Sequence, residues 1–427
     1  MTNVATDYTW TAAFTAVFVM VFGVYWFSRS KKQYNLPPGP KGWPFVGMLY
    51  KLGDTPHIQF MEMAKKFGNV FSMKVGTQRV IVLNGYKAVT EALVDNNSIF
   101  SERPDAWTLK RVKDGDGIVS RNADHVWKER RTFMGTQLRD FTKRSLEATI
   151  HEEAEMLCEA LGATNCKPVD CSHLLRKQTR AREDNVDLND PRDYTEALVG
   201  EQFRNHGVRQ SSTFKELKNV KETATSSVSE LFRTATDPTY TALRWALVYS
   251  VKHPEIQEKI HNEIVDVIGT SRRATINDYD SMPFTQAAIM EAMRMVAPLS
   301  LAPPHSNTKD CKIGGYDIPK DSYVLPNFHS VHMDPEFWEN PEKYDPSRFI
   351  GPDGKLRNKV AFMAFGRGHR KCPGENIARC QLFLFFTSFI QRFRFELAED
   401  AAALKSKTGM SLINKPADHK IRCIPRT

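Results

Sequence analysis

The sequence predicts a mainly α-helical protein with small β-sheets, standing behind one N-terminal membrane helix. Three observations carry that expectation. Apolar residues at helical spacing dominate the chain, runs of β-formers are few and local, and residues 8–28 contain no formal charge. No internal repeat interrupts this pattern.

Taken in order, Tyr8 to Ser28 are twenty-one uncharged residues rich in Phe, Val, Ala and Trp. At about 1.5 Å per residue a helix of that length spans about 30 Å, the thickness of a bilayer's hydrocarbon core. Trp10, Tyr25 and Trp26 stand near its ends, where amphipathic aromatics prefer the headgroups. Arg29, Lys31 and Lys32 follow, whereas Asp7 is the only charge before it. The positive-inside rule then puts the N-terminus in the lumen and everything past residue 29 in the cytosol. A cleaved signal peptide is the alternative; it would carry a shorter apolar core, positive charge first and a small-residue cleavage site after.

Leu36-Pro37-Pro38-Gly39-Pro40 reads as a stiff, extended hinge. The expected organisation is an anchor over 1–28, a basic and proline-rich hinge over 29–44, and one folded body over 45–427. Pro56 to Phe67 reads as a helix. Val70–Val75 and Arg79–Leu83 read as a hairpin joined by Gly76-Thr77-Gln78. From Ala123 to about Leu161 the pattern is helical, with Trp127, Arg131, Met134 and Leu138 in step. Residues 176–193 are polar enough to be a solvated loop. Further helices are expected over about 216–253, 253–268 and 282–296, short strands around a Gly314-Gly315 turn over 311–325, and a last apolar helix over 373–393.

Composition narrows the class. Hydrophobic residues at 41 % and aromatics at 11 % exclude a disordered chain and a disulfide-stapled miniprotein. The net charge of +9 suits a membrane surface or an acidic partner and is too dilute to indicate nucleic acid. Seven cysteines, odd in number and without paired C-x-x-C spacing, fit a reducing, cytosol-facing body.

The most informative stretch is Phe365-Gly366-Arg367-Gly368-His369-Arg370-Lys371-Cys372-Pro373-Gly374. Its glycines permit a tight loop with amide N–H groups free to converge on one atom. Cys372 precedes Pro373 at an expected helix start, with Arg367, Arg370 and Lys371 beside it, so its thiol is expected to ionise easily. That is the design of an anionic sulfur ligand to a metal.

Here the chain resembles the cytochrome P-450 family in its membrane-anchored animal microsomal branch. Residues 365–374 match the family's F-G-x-G-x-R-x-C-x-G haem loop at every fixed position. Glu291-Ala292-Met293-Arg294 resembles its E-x-x-R, and Asp345-Pro346-Ser347-Arg348-Phe349 the segment whose arginine completes that ion triad. Trp127-Lys128-Glu129-Arg130-Arg131 is similar to its W-x-x-x-R helix, and Pro37-Pro38-Gly39-Pro40 to its proline hinge. The resemblance covers nearly all of the chain except about 175–215.

What it implies is the P-450 fold and haem b, with Cys372 as the axial thiolate on iron. Trp127, Arg131, His305 and Arg370 would reach the haem propionates, Phe365 would line the haem, and Glu291, Arg294 and Arg348 would form a structural ion network. The activity implied is insertion of one oxygen atom of O₂ into a small lipophilic substrate at the endoplasmic reticulum membrane. Electrons would come from an NADPH-dependent flavoprotein reductase, with cytochrome b5 as a second donor. The reductase would dock near Lys128, Arg130, Arg367 and Lys371; nucleic acid is not an expected partner.

Two departures from the family pattern qualify this. The oxygen-activating helix reads Thr234-Ala235-Thr236-Asp237-Pro238-Thr239, which keeps Asp237 and Thr239 as the catalytic pair but puts Pro238 where a threonine is usual. A proline there removes an N–H and is expected to kink the helix. In addition, the family's roof helices are missing near 175–195, on the order of 60–80 residues at ordinary helix and loop lengths. A haem-thiolate isomerase or dehydratase, or a haem-binding form without efficient turnover, are the competing expectations.

Overall fold

The computed structural model describes residues 15–20, 22, 34–105, 117–144, 146–170, 220–398, 406–407 and 412–426. Residues 15–20 and 22 are helical and exposed, and the rest of the expected anchor lies outside the described residues. Among the described residues no helix is long and apolar enough to cross a membrane. The expected gap in the roof also falls outside them, within 171–219.

Helices dominate, and the sheets are small. Helix α1 (Pro56–Phe67) starts on its proline, whose missing N–H costs nothing in a first turn, and leads to strands β1 (Val70–Val75) and β2 (Gln78–Leu83), with the short helix α2 (Gly85–Thr90) after them. The hairpin turn is the two residues Gly76 and Thr77, with Gly76 at φ 61° and Val75 opposite Gln78. Gln78, expected in the turn, therefore opens the strand. Strand β5 (Tyr323–Pro326) adds parallel to β2, giving the order β1-β2-β5. Between them in sequence, β3 (Cys311–Ile313) and β4 (Tyr316–Ile318) form a separate antiparallel pair around the Gly314-Gly315 turn.

The pattern expected over 123–161 resolves into two helices, α3 (His125–Arg144) and α4 (Leu146–Gly162). Their stripes differ: α4 buries Leu146, Ile150, Ala154, Leu157 and Leu161, one residue per turn, against the last helix. Helices α5 (Val220–Lys252), α6 (Pro254–Ile268) and α7 (Pro283–Val296) follow. The start of α7 is capped from outside, since Glu263 on α6 accepts the amides of Phe284 and Thr285 at 2.8 and 2.7 Å. Buried on nearly every side, α7 contacts α5, α6 and the last helix. A short helix α8 (Phe328–His332) continues from β5, and α9 (Glu375–Arg392) closes the helical body. Helix α9 begins at Glu375 behind Gly374, so Pro373 stands before the helix and not in its first turn. Strands β6 (Phe393–Leu397), β7 (Ser406–Lys407), β8 (Lys415–Pro416) and β9 (Ile421–Pro425) form two further antiparallel pairs, β6 with β9 and β7 with β8.

Candidate functional site

The loop before α9 is shaped by close backbone approach. Gly366 and Gly368 adopt φ 72° and 71°, and a Cβ on Gly368 would lie 1.8 Å from the carbonyl oxygen of Leu93. No other residue type fits there without moving the loop. The amide of Cys372 donates to the carbonyl of Phe365 at 2.9 Å, which folds the loop back on itself. The sulfur receives the amide N–H of Gly374.

The expectation of an easily ionised thiol is corrected here. Burial pushes the Cys372 thiol up, and the carboxylate of Glu375 adds to it. The Gly374 amide, Arg131 and Lys371 pull the other way and do not prevail. The physical reason is local. Lys371 is already paired to Glu375 at 2.7 Å, and the helix begins three residues after the sulfur, so both its dipole and its cation are spent elsewhere. The surface of Cys372 is nonetheless exposed, so a ligand can reach it.

Trp127, Arg131 and Arg370 are brought together. The guanidinium of Arg370 lies 4.3 Å and that of Arg131 5.4 Å from the Trp127 ring. Their polar atoms face backbone carbonyls: Trp127 Nε1–H donates to Ile118 at 2.9 Å, and Arg131 to Lys371. Arg370 donates to Ser101 at 2.8 Å, Ile118 at 2.9 Å and Arg121. His305 is fully enclosed and held neutral, burial lowering its pKa well below the usual range with Arg103 and Arg370 adding to this. Its Nδ1 lies 2.6 Å from the carbonyl of Phe100 and must carry the proton. Nε2 is the ring atom left without a hydrogen bond to the backbone. Arg130 is 6 % exposed and drops out of the cationic docking patch, while Lys128 and Lys371 remain exposed.

Glu291, Arg294 and Arg348 meet in the interior. Arg294 grips Glu291 through Nε at 2.7 Å and Nη2 at 2.8 Å, and Arg348 Nε reaches the same carboxylate at 2.9 Å. Glu291 also accepts the amide of Asp345 at 3.0 Å. The remaining arginine N–H groups go to carbonyls: Arg294 to His332 and Pro341, each at 2.7 Å, and Arg348 to Asn340 at 3.0 Å. Every charge is therefore compensated by geometry suited to a planar guanidinium.

The Asp237 region is built otherwise. Helix α5 runs through Pro238 as one continuous element. Asp237 is 52 % exposed and pairs with Lys415 of β8, Nζ to Oδ2 at 3.3 Å, while Thr239 is half-buried. Sequence spacing gave no sign of Lys415, which lies 178 residues from its partner.

The donor set around Cys372 fits a haem: a reachable sulfur beneath glycine-permitted backbone, apolar Phe365 and Ile377 nearby, and a cluster of guanidinium groups to one side. The chain matches the family profile described as Cytochrome P-450 over residues 37–181 and again over 172–422. Cytochrome P-450 2H2 of Gallus gallus is 31 % identical across 94 % of this chain and 96 % of that protein. Cytochrome P-450 2J2 of Homo sapiens is 31 % identical across 94 % and 93 %, and cytochrome P-450 2U1 of Homo sapiens 29 % across 93 % and 91 %. The alignment with the Gallus gallus protein runs to 479 positions, more than this chain's 427 residues, so more than fifty of its positions have no counterpart here. Matches of this reach place the chain in the cytochrome P-450 family, of animal microsomal type, and make it an oxidoreductase of the haem-dependent monooxygenase class.

Proposed function

We propose that Cys372 binds the iron of haem b as a thiolate and that the protein inserts one oxygen atom of O₂ into a small lipophilic substrate. The observation that carries this is the Cys372 loop, whose backbone folds so that the sulfur accepts an amide N–H while staying reachable. When bound, the haem supplies oxygen activation, and electron donation from sulfur favours O–O cleavage. The residues supply the rest. Cys372 gives up its proton on coordination, despite the burial that raises its pKa, because a metal deprotonates a thiol outright. Arg131 and Arg370 would offer positive charge to the propionates, Phe365 would offer an apolar wall, and Asp237 with Thr239 would hold protons for the oxygen chemistry.

An NADPH-dependent flavoprotein reductase would bind the face bearing Lys128 and Lys371, with cytochrome b5 as a second donor. The N-terminal anchor over 1–28 and hinge over 29–44 would hold the body against the endoplasmic reticulum, on its cytosolic side. Trp43 and Phe45, 66 % and 87 % exposed beside the described end of the hinge, support that placement. The absent positions fit loss of the roof helices near 175–195, since the two profile matches meet at 172–181.

A second reading is a haem-thiolate isomerase or dehydratase, which uses an already oxidised substrate and no proton relay. Pro238 and the Asp237–Lys415 pair favour it, because one removes a hydroxyl position and the other ties up the acid. Reduced protein under carbon monoxide should show the strongly red-shifted band of thiolate haem, and Cys372→His should abolish it; an unchanged band in that variant removes the assignment. Product from O₂ and reductase supports the first function, and product from a lipid peroxide alone supports the second.

A further inference from the structure

We infer that His332 is a positioning residue for the thiol loop, joining the buried ion network to the backbone that carries Cys372. The inference rests on the reading of Cys372 as the iron ligand. His332 ends α8 and is completely buried. Its carbonyl accepts Arg294 Nη1 at 2.7 Å, so the residue is fixed from the side of the ion network. Its ring reaches the other way: Nε2 accepts the amide N–H of Met363 at 2.9 Å. Phe362 stacks on the ring, centroids 5.6 Å apart and planes within 15°, which sets its plane.

Met363 begins the path to the sulfur. Its carbonyl accepts the amide of Gly366 at 2.9 Å, and the carbonyl of Phe365, one residue earlier, accepts the amide of Cys372 at 2.9 Å. From Glu291 to Cys372 there is thus one run of hydrogen bonds and covalent links, and the His332 ring is the side-chain acceptor in it that holds the loop's own backbone. Accepting at Nε2 requires the proton on Nδ1, an atom with no partner among the described residues. Burial, with help from Arg294, lowers the pKa of the ring to about 3, which keeps that lone pair available. A histidine buried only to fill space would need neither the tautomer nor the acceptor, and Phe could replace it.

The test uses the full chain loaded with haem and three variants, His332→Gln, His332→Asn and His332→Phe. Glutamine places its side-chain oxygen about where Nε2 stands, whereas asparagine imitates Nδ1. Haem release to an excess of an apo-haem acceptor protein, the ferrous carbon-monoxide band and amide exchange at Met363 are measured together. Wild type and the Gln variant should keep the red-shifted band, while Asn and Phe release haem about tenfold faster or more, as expected when a buried N–H loses its acceptor. Met363 exchange should accelerate in Asn and Phe but not in Gln. Release and exchange in Asn and Phe within twofold of wild type would overturn the proposal, as would a Gln variant no better than Phe. Should Phe fail to fold, the Gln and Asn pair still decides. Absence of the red-shifted band in wild type would fail the ligand reading alone, because Met363 exchange tests His332 without haem.

Discussion

Two ion pairs, Glu291 with Arg294 and Asp237 with Lys415, use the same chemistry in opposite surroundings. The first pair is 0 % exposed on both sides at 2.7 Å, and the second is 52 % and 33 % exposed at 3.3 Å. Around Glu291 every remaining donor finds a carbonyl, which offsets the cost of burying charge. Around Asp237 water does that work, and the pair contributes little to stability. The Glu291 side is therefore rigidly specified, whereas the Asp237 side is held by a contact that salt can loosen.

The largest expected effect lies on the rigid side. Glu291→Gln leaves two guanidinium groups without their counter-charge, and loss of a buried partner costs about 3–5 kcal/mol. Denaturant unfolding should show a drop of that size together with poor haem retention. A drop under about 1 kcal/mol would mean that the network behaves like a surface pair.

Acid should strike the same side next. Burial lowers the pKa of His57 to about 4 and of His332 to about 3, and holds His329 well below the usual range. Unfolded histidines protonate near 6.5, so the unfolded chain binds the extra protons as pH falls below that value. Stability from these groups is complete above about 6.5 and declines as pH falls toward their folded values, by up to about 1.4 kcal/mol per pH unit for each proton. Unfolding midpoints measured from pH 7.5 to 4.5 should fall accordingly; a flat profile would show that the three rings titrate in the fold.

On the open side Pro238→Thr returns an amide to the helix ladder and a hydroxyl beside Asp237. A stability gain of at most about 3 kcal/mol is expected, with more product formed per NADPH consumed. Equal or worse coupling would favour the isomerase or dehydratase reading. The smallest effect belongs to Asp237→Asn, which should change stability by less than about 1 kcal/mol at low salt and by nothing measurable at high salt. A loss of several kcal/mol there would erase the contrast between the two sides.

What the sequence made legible follows from locality. Helices that open on Pro254 and Pro283 and strands that turn at Gly76 are set by residues within a few positions, and each lies within two residues of its expected bounds. The glycine-bracketed cysteine loop was visible for the same reason. Contacts made across the chain were not. Nothing near Arg130 announces its burial, nothing near Asp237 announces Lys415, and the link from His332 to Met363 depends on how the loop at Met363 settles against α8. The raised thiol of Cys372 comes first from burial and then from Glu375, and neither its burial nor the hold of Glu375 on Lys371 can be read from the loop motif. Pro238, where a kink is expected, lies within one continuous helix.

The parallel pairing of β2 with β5 also bears on how the chain is made. Val80 pairs with Tyr323, about 240 residues later, so β2 leaves the ribosome long before its second neighbour exists. At about 5–20 residues per second, that interval is roughly 12–50 s. Through it the Val80–Leu83 edge, which ends up buried, shows unpaired amides and apolar side chains to whatever is near. Nascent chains should therefore bind chaperones from this hairpin onward and be released only after residue 326 has emerged.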